Sequence, residues 1–340
     1  MLKLRPSYFV NAIVYARVPE LLGPYGLGSL VASKGLDEFI FRLTSNPLYA
    51  HLREKDLRDP LVFEKSLFAG VIAEAEDLSK YSRGLREATE YYLLPYRAKN
   101  LALLAASKAS GLEWEEVSNL LLPDPFLSGG FYEALYSLGL KGIIGYLEEG
   151  VLKGASEALS AFKVWKDPTV IEGVIVRLGY EKRAAYFSSL RNVGGGRLYD
   201  AILAEVDVMN ILTVYKGKLM GSPTEVVNAN LIRAGRLYPA RLARALELAS
   251  PEEVIRYFRG TEYGALLEGL RAGAEVGLQV GARLNKFLYR DLWEALANYS
   301  DPLLPLVYLK LREIEAEAVR KIYHFKRLGL EESKLEELIF

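Results

Sequence analysis

The 340-residue chain has no cysteine, two histidines, three methionines and a single glutamine, Gln279. Without cysteine there is no disulfide, thiolate metal site, iron–sulfur cluster or cysteine nucleophile. His51 stands alone in YAHLREK, and His324 lies in RKIYHFKR, where neighbouring cations disfavour binding another one, so neither points to a metal. A surplus of charge is missing too. Lys+Arg and Asp+Glu are 43 each, which leaves no global field to draw the protein onto nucleic acid. Tyrosines such as Tyr91, Tyr92 and Tyr96 therefore read as packing residues rather than base-stacking platforms. Apolar runs such as LALLAAS and PLLPLVYL stop short of the roughly 18 residues of a membrane span. The opening MLKLRPSYFV meets Pro6 before a signal-peptide core can form, so no export is indicated.

Familiar catalytic motifs are also absent. The glycines 194–196 of RNVGGGRLYD lack the Lys-Ser or Lys-Thr of a phosphate loop and read as an interhelical connection. Gly23, Gly26 and Gly28 do not make the dinucleotide fingerprint, and no strand precedes them. Acid clusters at Glu74, Glu76 and Asp77, at Glu148 and Glu149, and at Glu313, Glu315 and Glu317 lack the paired spacing with which helical isoprenoid enzymes hold magnesium. They are expected to be solvated helix faces. No catalytic residue, cofactor, metal or small-molecule substrate is expected.

What the chain does have is helix. Leu, Ala, Glu, Lys and Arg dominate, and apolar residues recur at three- and four-residue spacing in LDEFIFRL, FEKSLFAGVIAEAEDL and LYPARLARALELA. Asp59-Pro60, Asp167-Pro168 and Ser250-Pro251-Glu252-Glu253 supply caps followed by proline at the first helical position. TVIEGVIVRLGY, residues 169–180, has the β-branched content of a strand, but it follows such a cap and is expected to be helical. The length and apolar content allow two or three domains, each with its own core.

Those helices repeat. DPLVFEKSLFAG overlays DPTVIEGVIVRL at an offset of 108 residues, matching Asp59 with Asp167, Pro60 with Pro168 and Glu64 with Glu172. RAKNLALLAASKASG overlays DVMNILTVYKGKLMG at an offset of 110, matching Asn100 with Asn210, Lys108 with Lys218 and Gly111 with Gly221. In a third copy, EAEAVRKIYHFKRLG, Ala318 replaces the asparagine while Lys326 and Gly329 keep their places. LDEFIFRLTSNPLYAHL overlays PEEVIRYFRGTEYGALL at 215, about two periods. Periods this long exceed solenoid units, so each copy is expected to be a helical bundle, at 1–115, 116–222 and 223–340.

On the repeated helix, Asn100, Leu104, Ser107 and Gly111 share one face, as do Asn210, Val214, Gly217 and Gly221. A buried amide there should bridge to a neighbouring helix or loop. Lys108, Lys218 and Lys326 fall near the helix ends, where cations favour the terminal carbonyls, and the glycines sit where the helix stops. The three lysines are the candidate partner interface. Pro95 must begin or kink the first copy, whereas Glu205 at the same place permits an unbroken helix.

YARVPELLG, LDEFIFRLTSNPLYAHL, the paired asparagine helices and LREIEAEAVRKIYHFKRLGL resemble, in order and spacing, the C subunit of archaeal and bacterial A/V-type ATPases, the counterpart of the d subunit of vacuolar ATPases. Pro19 stands where that family has a basic residue after Arg-Val, and Ala102 and Leu212 stand at frequent lysine positions. The resemblance implies an all-α fold of three related bundles around a pseudo-threefold axis. It implies a non-catalytic, peripheral rotor spacer on the cytoplasmic face, between the central stalk and the membrane proteolipid ring, serving proton or sodium transport. A stand-alone scaffold with a soluble partner is the alternative class, and a helical isoprenoid enzyme a more remote one.

Overall fold

In the computed structural model, which describes residues 8–127, 130–150, 152–192, 196–330, 335 and 339, every regular element is a helix. The first half of the chain forms α1 (Tyr8–Arg17), α2 (Gly23–Val31), α3 (Leu36–Ser45), α4 (Pro60–Ser79), α5 (Arg83–Tyr92), α6 (Leu94–Ala109), α7 (Trp114–Ser118), α8 (Phe131–Ser137), α9 (Gly139–Glu149) and α10 (Ser156–Trp165). The rest forms α11 (Pro168–Leu190), α12 (Gly196–Leu219), α13 (Thr224–Ala229), α14 (Ala240–Leu246), α15 (Pro251–Arg259), α16 (Gly264–Leu267), α17 (Val276–Ala295) and α18 (Leu304–Leu328). Gly194 and Gly195 lie outside the described residues, and Gly196 opens α12. No described helix is long and apolar enough to cross a membrane.

The caps act as their chemistry requires. Asp59 accepts the N–H groups of Leu61 and Val62 at the start of α4, and Asp167 accepts that of Thr169 at 2.9 Å at the start of α11. At α15 Ser250 is the cap: Glu253 N–H donates to Ser250 Oγ, and the Glu253 carboxylate reaches back to accept Ala249 N–H, one residue before the cap. Residues 169–180 are helical, so the cap and the tertiary burial of Ile171, Val174 and Ile175 prevail over β propensity. Pro95 lies in the first turn of α6, where its missing N–H costs nothing, whereas α12 runs unbroken past Glu205.

The chain divides into two compact units. One comprises residues 1–89, 190–201 and 277–340, and the other residues 90–189 and 202–276. In the first unit α18 packs on α1, α2, α3 and α4. Its core joins Leu27, Phe39, Leu43, Phe63 and Leu67 to Val319, Ile322 and Tyr323, with Leu335 also buried in it. Phe63 and Tyr323 stack at 3.8 Å.

The second unit holds two comparable assemblies. In one, α6 packs on α7, α8 and α9, and Ala98, Leu101 and Ala105 share a core with Ile143, Leu147, Ile171 and Ile175. In the other, α12 is tied to α13 and α14, with Gly217 so close to Val227 that a Cβ there would collide with it. α6 and α12 therefore pack on short helices that follow them in the chain, and α18 packs on α1–α4 at the beginning. The sequence repeats and the packed bundles are out of phase.

Candidate functional site

The repeated helix ends carry the same construction three times. Gly111, Gly221 and Gly329 have φ of 76°, 65° and 63°. Their N–H groups donate to Lys108, Lys218 and Lys326 carbonyls, all at 3.3 Å, and the following residues, Leu112, Ser222 and Leu330, donate to Ser107, Gly217 and Phe325. Glycine takes the left-handed conformation without a Cβ penalty, so it closes the helix and satisfies its last carbonyls.

Further back along the helix lies a second repeated device. Asn100 Nδ2 donates to the Leu122 carbonyl at 2.8 Å, and Leu122 N–H returns to Asn100 Oδ1 at 3.0 Å. Asn210 does the same to Ile232, at 3.0 and 2.8 Å. Each amide thus satisfies both backbone groups of a residue 22 positions on, the bridge being fully buried at Asn210 and partly buried at Asn100. Ala318 removes the device from the third copy, but buried Leu335 stands 17 residues after Ala318, as Val117 and Val227 stand after their asparagines.

The three lysines reach toward the next set of short helices. Lys218 Nζ donates to the Leu246 carbonyl at 2.7 Å, at the end of α14, and Lys326 Nζ donates to the Ser33 carbonyl at 2.6 Å, just beyond α2. Lys108 Nζ instead lies 4.3 Å from the ring centre of Tyr136, in the last turn of α8. An ammonium placed on the negative end of a helix dipole is favourable, and all three are engaged within the fold.

Three residues before each asparagine position stands a charge. Arg97 forms a bidentate pair with Asp124, at 2.6 and 3.0 Å. Asp207 accepts the N–H groups of Arg236 and Leu237 and the Tyr263 hydroxyl at 2.6 Å. Glu315 accepts the N–H groups of Leu22 and Gly23 and the Tyr289 hydroxyl at 2.9 Å. Burial pushes both carboxyls up, and the hydrogen bonds they accept oppose that shift. The cluster Glu313, Glu315 and Glu317 is therefore not wholly a solvated face: Glu315 is fully buried. Glu74 is a second correction. It accepts the Tyr308 hydroxyl at 2.6 Å and Arg312 Nε at 2.9 Å, and its side chain is only 10% exposed. Arg312 also donates to the Tyr49 hydroxyl at 2.9 Å. Burial opposes its charge, but Tyr49, Glu74, Tyr308 and Glu315 together raise its pKa. Glu148 stays on the solvent side, where it accepts the N–H groups of Gly154 and Ser156.

These arrangements bind backbone and counter-charge. Among the described residues no group of three or more His, Asp or Glu could hold a metal ion, and His324 is paired with Glu64 at 2.7 Å. The construction is that of a packed structural element.

The family model described as ATP synthase (C/AC39) subunit matches residues 10–338, nearly the whole chain. The chain belongs to that family. Relatives of this C/AC39 subunit include the C subunit of the A-type ATP synthase of Methanothermobacter thermautotrophicus, 25% identical over all of this chain and 89% of the relative. The C subunits of the A-type ATP synthases of Thermococcus kodakarensis and Pyrococcus horikoshii are each 23% identical over 99% of this chain and 91% of the relative.

For this C/AC39 subunit, sequence spacing finds Asn100, Asn210 and the three glycines. It misses Asp207, Glu315, Glu74 and Arg312, because acids and bases on helices ordinarily face water. A signal for Glu315 exists: Glu315, Ala318 and Ile322 recur at helical spacing, which puts the carboxylate on the core face.

Proposed function

We propose that this chain, a subunit of a rotary ATP synthase by family, is its non-catalytic rotor spacer. It would link the central stalk to the membrane proteolipid ring on the cytoplasmic side and pass torque during proton or sodium transport. The observation that carries the reading is the thrice-built helix end, in which a glycine turn and an internally held lysine close a long helix. Buried ion pairs and bridged backbone within each unit suit a part that moves as a rigid body, since packed interiors transmit strain.

In this reading one bundle design recurs three times around a pseudo-threefold axis, each bundle combining the closing long helix of one repeat (1–115, 116–222 or 223–340) with the short helices of the next, and α18 with those of the first. The ends marked by Lys108, Lys218 and Lys326 face partners. The ammonium groups are already held inside the fold, so contact falls to exposed neighbours such as Leu112, Met220 and Leu328. Purified chain mixed with central-stalk subunits and with detergent-solubilised proteolipid ring tests this. Capture by both at moderate salt supports it; capture by neither overturns it in favour of a scaffold with a soluble partner.

A further inference from the structure

The first unit contains an arrangement that its rotor role does not require. In the second unit, the long helices α6 and α12 reach the short helices they pack on through one continuous run of chain, so Asn100 and Asn210 bond residues only 22 positions away. In the first unit, apart from the Tyr289 hydroxyl on Glu315, the corresponding contacts join opposite ends of the sequence. Lys326 bonds Ser33 across 293 positions, and Glu315 bonds Leu22 and Gly23 across 293 and 292. Arg312 and Tyr308 bond Glu74 across 238 and 234, and Asn11 Nδ2 donates to the carbonyls of Tyr299 and Asp301 across 288 and 290. None of these bonds can be kept by chain connectivity if α18 leaves.

We propose that α18 is a non-covalent clasp on α1–α4, and that the two ends of the chain open and close together as one cooperative unit while the assembly of α6–α9 stays closed. The apolar side supports a clasp rather than a loose tail. Val319, Ile322 and Tyr323 complete the core of Phe39, Phe63 and Leu67, so departure of α18 would expose that core to water. The polar side supports cooperativity. Buried Glu315 on α18 holds donors from Leu22, Gly23 and Tyr289, and Glu74 on α4 holds Tyr308 and Arg312 of α18, so losing one partner leaves a desolvated charge and weakens the remainder. Contacts that close a long loop are repaid only when all of them form, which favours one concerted opening over fraying.

The proposal is tested on the full chain by native-state hydrogen exchange read by mass spectrometry over a denaturant series. Amides of residues 36–79 and 304–328 are expected to converge on one opening curve, separate from and below that of residues 98–109 and 170–180. Lys326→Met is expected to raise exchange about tenfold in both of those end segments, the loss of one charge-assisted hydrogen bond, and to leave residues 98–109 unchanged. Lys218→Met, the matching change in α12, should instead raise exchange in residues 204–219 and 240–246 and leave 36–79 unchanged. Opening of 304–328 without 36–79, or a single curve for the whole protein, overturns the clasp. The wild-type curves decide the matter alone if Lys326→Met does not fold. Capture by the stalk or the ring plays no part in the readout, so the clasp and the rotor reading fail separately.

Discussion

Asn210 holds Ile232 by both of its backbone groups, giving a hydrogen to the carbonyl at 3.0 Å and taking one from the N–H at 2.8 Å. Neither the amide nor the backbone it serves is open to water, so no solvent molecule takes over when the side chain is removed. Asn210→Ala is expected to lower stability by about 2–4 kcal/mol, two net hydrogen bonds plus the cost of leaving buried partners unpaired. Asn100→Ala should cost less, about 1–3 kcal/mol, because the nearby Tyr132 hydroxyl and half-buried Leu122 leave room for substitute partners. Chemical denaturation of both variants checks the order; equal and negligible losses would remove the bridge from any account of the fold.

The helix-closing glycines allow a cleaner comparison, because a Cβ built at Gly111, Gly221 or Gly329 meets nothing within 4 Å. The cost of substitution is then the backbone conformation alone. Alanine at Gly221 or Gly329 is expected to destabilise by about 1–2 kcal/mol, and asparagine by less, since its side chain tolerates the left-handed region. Thermal melts of the two pairs of variants decide it, and alanine matching asparagine would contradict the conformational argument.

How far the molecule is legible in its sequence follows from what kind of information each feature needs. Asp59-Pro60 and Asp167-Pro168 are local chemistry, and they start helices where they stand. Gly111, Gly221 and Gly329 are local too, and their repetition adds a check that no single site offers. The phase of packing is not local. Nothing in SKASG says that Lys108 faces Tyr136 of the next repeat, or in HFKRLG that Lys326 reaches back to Ser33. Buried charge is harder still, because Glu74 becomes a core residue only once Tyr308 and Arg312 arrive from the far end of the chain.

That charge network makes a prediction of its own. Arg312 is almost wholly buried and stands between Glu74 and Glu315, with Tyr49 as a further acceptor. Arg312→Met takes away the cation shared by Glu74 and Glu315, leaving Glu74 with Arg17 at 3.6 Å, and is expected to cost about 3–5 kcal/mol. Replacing the nearer acid as well, in Arg312→Met/Glu74→Leu, should recover part of that loss, since an apolar pair is cheaper to bury than a lone charge. A double-mutant cycle with Glu74→Leu measures the coupling; strict additivity would mean that the two residues do not act as a pair.

Acid sensitivity supplies the last prediction. Glu157 accepts from Arg177 at 2.6 and 3.2 Å and from Arg233 at 2.9 Å. Burial works against its charge, but the two guanidinium groups outweigh it and hold the carboxyl below its ordinary value of 4.5. A carboxyl whose pKa falls on folding adds stability above the unfolded value and loses it as the pH drops through the folded one. The stability difference between the natural chain and Glu157→Gln should therefore be fully developed at neutral pH and shrink as the pH passes downward from about 4.5. Arg177 is buried and also donates to the Ala229 carbonyl at 3.1 Å, so the variant retains one anchor for the guanidinium and should still fold. Denaturation midpoints at pH 7, 5, 4 and 3 trace the difference; a gap that is constant with pH would place the effect in packing rather than in the ion pair.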